Sequence, residues 1–173
     1  MAIQDILKQF VEQEPARPPD HGEEVQGEHE TESRLDRLHQ CFSDIVLPAV
    51  YETERDLKMS GYWHRITIGQ STSLVTGKQH ISEAMIYFYP EKGSISPYSQ
   101  KAIDVSYKVI ISASMDLRKI VLSIHLPRRL PPTVEVEEIQ IEIAKLDASA
   151  LEALMVKFIS NALDAYASDQ VLA

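Results

Sequence analysis

Residues 134–166, VEVEEIQIEIAKLDASALEALMVKFISNALDAY, change period halfway along. Up to Ile143 apolar and polar residues alternate, as in a half-buried strand; from Leu151 the apolar residues recur every three to four positions, as in an amphipathic helix. A strand followed at once by the stripe Leu151, Leu154, Met155, Phe158, Ile159, Ala162, Leu163 and Tyr166 predicts a helix laid across a sheet. Asp147 is placed to cap that helix, with Leu146 and Leu151 as a hydrophobic staple, and Ser149 with Glu152 offers a competing capping box. Within the strand, apolar parity switches from Val134 and Val136 to Ile139, Ile141 and Ile143, which predicts a β-bulge near Glu137 and Glu138.

Upstream, alternation predicts further strands near 62–69, 80–89, 105–114 and 118–126. A tight turn at Met115 and Asp116 would set Val105 opposite Leu126, Tyr107 opposite Ile124, Val109 opposite Leu122 and Ile111 opposite Ile120, so that register and apolar face agree. A second long helix is expected over 31–60, carrying Leu35, Leu38, Phe42, Ile45, Val46, Val50 and Leu57, with Gly61 ending it and Pro48 kinking or breaking it. The expected fold class is α+β: an antiparallel β-meander of four to five strands, with long N-terminal and C-terminal helices packed on one face.

Ahead of that domain, taken as 34–173, Ile3, Ile6, Leu7 and Phe10 fall on one face of a short amphipathic helix within 1–14. Residues 15–33 combine three prolines, two glycines and six acidic groups, the composition of a solvated linker, so this helix is expected to be tethered rather than fixed.

The 173-residue chain carries a net charge of −9. Residues 1–58 hold fourteen acidic and six basic side chains, a net of −8, which leaves the rest almost neutral. Phosphate backbones are bound through clustered Lys and Arg, and only Arg128-Arg129 comes close, so neither nucleic acid nor an anionic membrane is an expected partner. The Arg128-Arg129-Leu130-Pro131-Pro132 segment is expected to be a solvated turn, with an acidic surface as its alternative partner. Cys41 is the only cysteine, no run reaches the ~18 apolar residues of a membrane span, and Asp5, Gln9 and Glu12 interrupt any signal-peptide core. The expectation is a cytoplasmic protein with no metal and no cofactor.

Motifs for catalysis fail on their spacing. Thr76-Gly77-Lys78 lacks the Gly at 72 and the Ser or Thr at 79 that a phosphate loop needs, and Gly69 to Ser73 lacks the closing Gly of a nucleophile elbow. His21 and His29 sit among glutamates in the linker, which does not preorganise metal ligands. An acid/base site would require His64, His80 or His125 to meet Glu83 or Glu138 in one cleft. The stronger constellation is aromatic: Trp63, Met85, Tyr87 and Tyr89 alternate onto a second sheet face, and if that face is open they form an apolar interaction surface. The expected function is therefore a non-enzymatic protein-interaction module, adaptor or chaperone-like, acting through this face and the stripe of Ile3, Ile6, Leu7 and Phe10, with another protein or a second copy as partner. The alternative is a small apolar ligand held between sheet and C-terminal helix by Tyr107, Ile111, Met155 and Phe158.

Overall fold

The computed structural model describes residues 21–92, 105–129 and 132–172. Helix α1 (His21–Cys41) runs through a π turn (Phe42–Val46) into α2 (Leu47–Met59). Strands β1 (Tyr62–Thr72), β2 (Gln79–Lys92), β3 (Tyr107–Ala113), β4 (Lys119–Arg128) and β5 (Thr133–Glu142) follow, and a short 3-10 turn (Ile143–Lys145) leads into α3 (Ala148–Leu172). The strands lie in chain order in one antiparallel sheet, so the expected α+β meander is present with five strands.

Helix α1 starts ten residues ahead of Thr31, inside the stretch read as linker. Those residues have no apolar stripe, but Glu and Gln are good helix formers, and extending a helix already fixed by packing costs little compared with nucleating one. Pro48 neither breaks nor ends the helix. It sits in the first turn of α2, and the widened π turn just before it moves the bonding pattern from four residues to five, with the Leu47 N–H reaching the Phe42 carbonyl. Gly61, at φ +76°, ends α2 as its position suggested.

The core lies on the helix-covered face of the sheet. Leu38, Phe42, Val46 and Val50 meet Ala84, Ile86 and Phe88 of β2 and Tyr107, Val109 and Ile111 of β3. Ile120, Leu122 and Ile124 of β4 close against Leu151, Met155, Phe158 and Ala162 of α3. Asp147 caps α3, its carboxylate accepting from the Ala150 N–H at 2.7 Å, and Leu146 and Leu151 are both buried.

Two expected details are corrected. The β3–β4 register sets Val109 opposite Ile124 and Ile111 opposite Leu122, a slip of two residues from the expected pairing. The connection spans Ser114–Arg118, and Asp116 accepts from Ser114 Oγ and the Arg118 N–H while Leu117 adopts φ +60°. A slip of two leaves every side chain on its face, so alternation could not register it. There is also no bulge in β5. Its pairing with β4 is continuous, which leaves Val134 and Val136 exposed on the uncovered face and puts Glu135 and Glu137 on the helix face. Arg128 binds Glu135 at 3.2 Å and Lys157 of α3 binds Glu137 at 2.7 Å, so carboxylates occupy positions where hydropathy called for apolar side chains.

Candidate functional site

Trp63, Met85, Tyr87 and Tyr89 share one face, as alternation requires: Trp63 is paired with Tyr89, and Tyr87 and Met85 follow at two-residue steps. The face is nevertheless not open at its aromatic end. Trp63 is 4% and Tyr89 7% exposed, Tyr166 of α3 stacks edge-on against Tyr89 at 5.7 Å, and Arg129 Nη2 donates to the Tyr89 hydroxyl at 2.9 Å. Arg128 likewise reaches the Ala165 carbonyl of α3 at 3.2 Å, whereas Leu130 and Pro131 of the expected turn lie outside the described residues. Ile3, Ile6, Leu7 and Phe10 lie outside the described residues.

The candidate acid/base residues do not converge. His64 is on the helix-covered face, where its Nδ1 meets the Tyr62 carbonyl at 3.0 Å. Glu83 and His125 are on the other face but two strands and several residues apart, Glu83 facing Ser112 and His125 facing Lys108. Glu138, level with Ser123 across β4 and β5, accepts instead from Gln140. His125 Nε2 lies 2.9 Å from Ser123 Oγ, and burial, with the Lys108 charge second, holds this imidazole below its ordinary pKa. That is the start of a nucleophile–base pair, but among the described residues no carboxylate orients the second nitrogen and the pair lies on an open sheet face.

A polar cluster that the sequence did not flag ties α1 to the β1–β2 hairpin. Glu32, Asp36 and His39, spaced i, i+4, i+7 on one helix face, meet Ser73, Thr76, Lys78, His80 and the Ile81 N–H. Asp36 accepts from Lys78 Nζ at 2.9 Å and pairs with His80 Nε2 at 3.1 Å, and the Lys78 bond, with His80 second, holds its carboxyl below the usual range. A register shift between Gly69 and Gln70 interrupts the ladder beside Ile81, and His39 Nδ1 takes the Ile81 N–H at 3.0 Å. His80 is 1% exposed, its Nδ1 has no partner among the described residues, and its Nε2 is taken up by Asp36. The cluster is a clasp holding helix to hairpin. Among the described residues no group of three His, Cys, Asp or Glu could hold a metal ion.

The four residues expected to line a ligand pocket are all buried. Tyr107, Ile111 and Phe158 are packed in the core, and burial, with the nearby Asp169 and Tyr89 charges, pushes the Tyr107 hydroxyl up to about 12. Met155 also lines an opening. That opening is a cleft of about 400 Å³ between α2 and α3. Its floor is Leu57, Tyr62, Phe88 and Met155, with Tyr62 edge-on to Phe88 at 5.6 Å. The α3 wall is Val156, Ile159 and Leu163, and the α2 wall offers Ala49 and Thr53. Glu52, Asp56 and Glu152 stand around it, and among the described residues no Lys, Arg, His or Cys lines it. Thr53 Oγ1 is already committed to the Ala49 carbonyl at 2.9 Å. Chemically the cleft can desolvate apolar side chains and attract positive charge, but it presents no activated nucleophile.

Val156 is 64% and Leu163 38% exposed, although both are large and apolar. The stripe read from the sequence contained Ile159 and Leu163 but not Val156 or Glu152, because periodicity does not say where a second helix stands. No protein-family model, curated protein or solved structure matches the chain. Among the described residues no helix is long and apolar enough to cross a membrane.

Proposed function

We propose that this protein is a non-enzymatic interaction module whose binding surface is the α2–α3 cleft. The observation that carries this is the apolar wall of α3, left exposed beside a buried apolar floor. The binding surface therefore moves from the aromatic sheet face, where Trp63 and Tyr89 are buried, to the cleft between the helices. Partner-binding grooves of this kind take the apolar face of a helix as a row of anchors.

One observation favours a second reading in the same place: a volume of about 400 Å³ falls within the range of small-molecule pockets, so an apolar ligand of a few hundred daltons would also fit. Native mass spectrometry of the untagged protein from its own host, beside its Val156→Glu variant, separates the two. A polypeptide-sized added mass, or a multiple of the chain mass, that the variant loses supports the interaction module. A constant small added mass supports the ligand reading, and the bare chain mass in both samples counts against the cleft as a binding surface.

A further inference from the structure

Helix α3 has two apolar faces. One, Leu151, Met155, Phe158 and Ala162, is spent on the core. The other, Val156, Ile159 and Leu163, continues at its N-terminal end to Glu152 and lines the cleft. The opposite wall runs from Ala49 to Ser60 of the α2 segment with lining residues at helical spacing. Each wall covers twelve residues, which at 1.5 Å per residue gives a trough of about 17 Å, some three helical turns.

Charge then selects the occupant. Among the described residues three carboxylates, Glu52, Asp56 and Glu152, line the trough and no basic side chain does. Arg55 bonds Glu52 at 3.2 Å and approaches Asp56 at 3.7 Å, but these pairs are exposed and weak. Glu152 has no side-chain hydrogen bond or ion pair among the described residues. A second copy docked cleft to cleft would set acidic rim against acidic rim, and the segment 1–14, with Asp5, Glu12 and Glu14 against Lys8, has the wrong sign.

Resting on the cleft as the binding surface, we infer that its occupant is a basic amphipathic helix of a partner protein: about three turns, with apolar residues at i, i+3 or i+4 and i+7 on the trough floor and Lys or Arg at its flanks against Glu52, Asp56 and Glu152. The rim acts through complementarity, which sets specificity and salt dependence more than total affinity.

The test uses two peptides of about twelve residues with the same leucine stripe, one flanked by lysines and one by glutamates, titrated into the full chain with methyl groups observed by NMR. The expected result is shifts at Val156, Ile159 and Leu163, with the lysine peptide about tenfold tighter at low salt and the difference shrinking to about twofold at 0.5 M salt or in the Glu52→Gln/Glu152→Gln variant. Equal affinity of both peptides at those methyls would overturn the charge selection while leaving the cleft reading intact. Shifts confined to residues outside the cleft would overturn the proposal, and no shifts with either peptide at millimolar concentration would overturn the cleft reading itself.

Discussion

The two apolar faces of α3 have opposite fates. Leu151, Met155, Phe158, Ala162 and Ala165 are buried against the sheet, while Val156 and Leu163, on the same helix, face a cleft and stay substantially exposed. Burial accounts for the first set, since each large side chain removed from water contributes ~1.5–3 kcal/mol to folding. Folding does not account for the second, because an exposed valine or leucine contributes little to stability. A surface that folding does not require is where a binding function is most economically sought.

The comparison breaks first under substitution across the two faces. Phe158→Ala, in a fully buried position, is expected to cost about 3–5 kcal/mol in urea unfolding, whereas Val156→Ser should stay within about 0.5 kcal/mol. Similar losses at both positions would mean that the cleft face belongs to the core. A smaller effect is expected at the clasp: His39→Ala leaves the Ile81 N–H without its acceptor, at about 1–3 kcal/mol, and His39→Asn, whose amide oxygen occupies nearly the same place as Nδ1, should recover part of it. If the alanine variant is neutral, the His39 bond contributes nothing to holding α1 on the hairpin.

The smallest expected effect concerns acid. Asp36 has its carboxyl held below the usual range in the folded state, by Lys78 first and His80 second. Its contribution is therefore present above the unfolded value of about 3.9 and is lost as pH falls through the lower folded value, where the unfolded chain binds the proton more readily. Midpoints of thermal unfolding between about pH 5 and pH 2 should fall less steeply in Asp36→Asn than in the parent, and parallel curves would remove Asp36 from the acid response.

The sheet and both core helices were legible because period-two and period-3.6 patterns report which face is buried. The same patterns are blind to what does not alter parity. The β3–β4 register slipped by two behind a turn made by Asp116 and a left-handed Leu117, with no glycine to mark it. Glu135 and Glu137 reach the helix face because Arg128 and Lys157, remote in sequence from one another, neutralise them there. Residues 21–30 extend α1 without an apolar stripe to announce it. At the site, alternation placed Trp63, Met85, Tyr87 and Tyr89 on one face but could not show that Arg129 and Tyr166 would close over Tyr89. The cleft was hidden for a related reason: its residues, Leu57 on α2 and Val156 on α3 among them, come from helices a hundred residues apart, and only their packing reveals the space between.

The most direct measurement pairs stability and binding in one variant, Val156→Asp, using urea unfolding and titration with the lysine-flanked peptide. The expected result is an unfolding free energy within about 0.5 kcal/mol of the parent and affinity reduced at least about tenfold, since the charge sits in the apolar wall of the cleft but not in the core. A variant that loses stability like Phe158→Ala, or that binds the peptide as the parent does, would contradict the assignment of this face to binding.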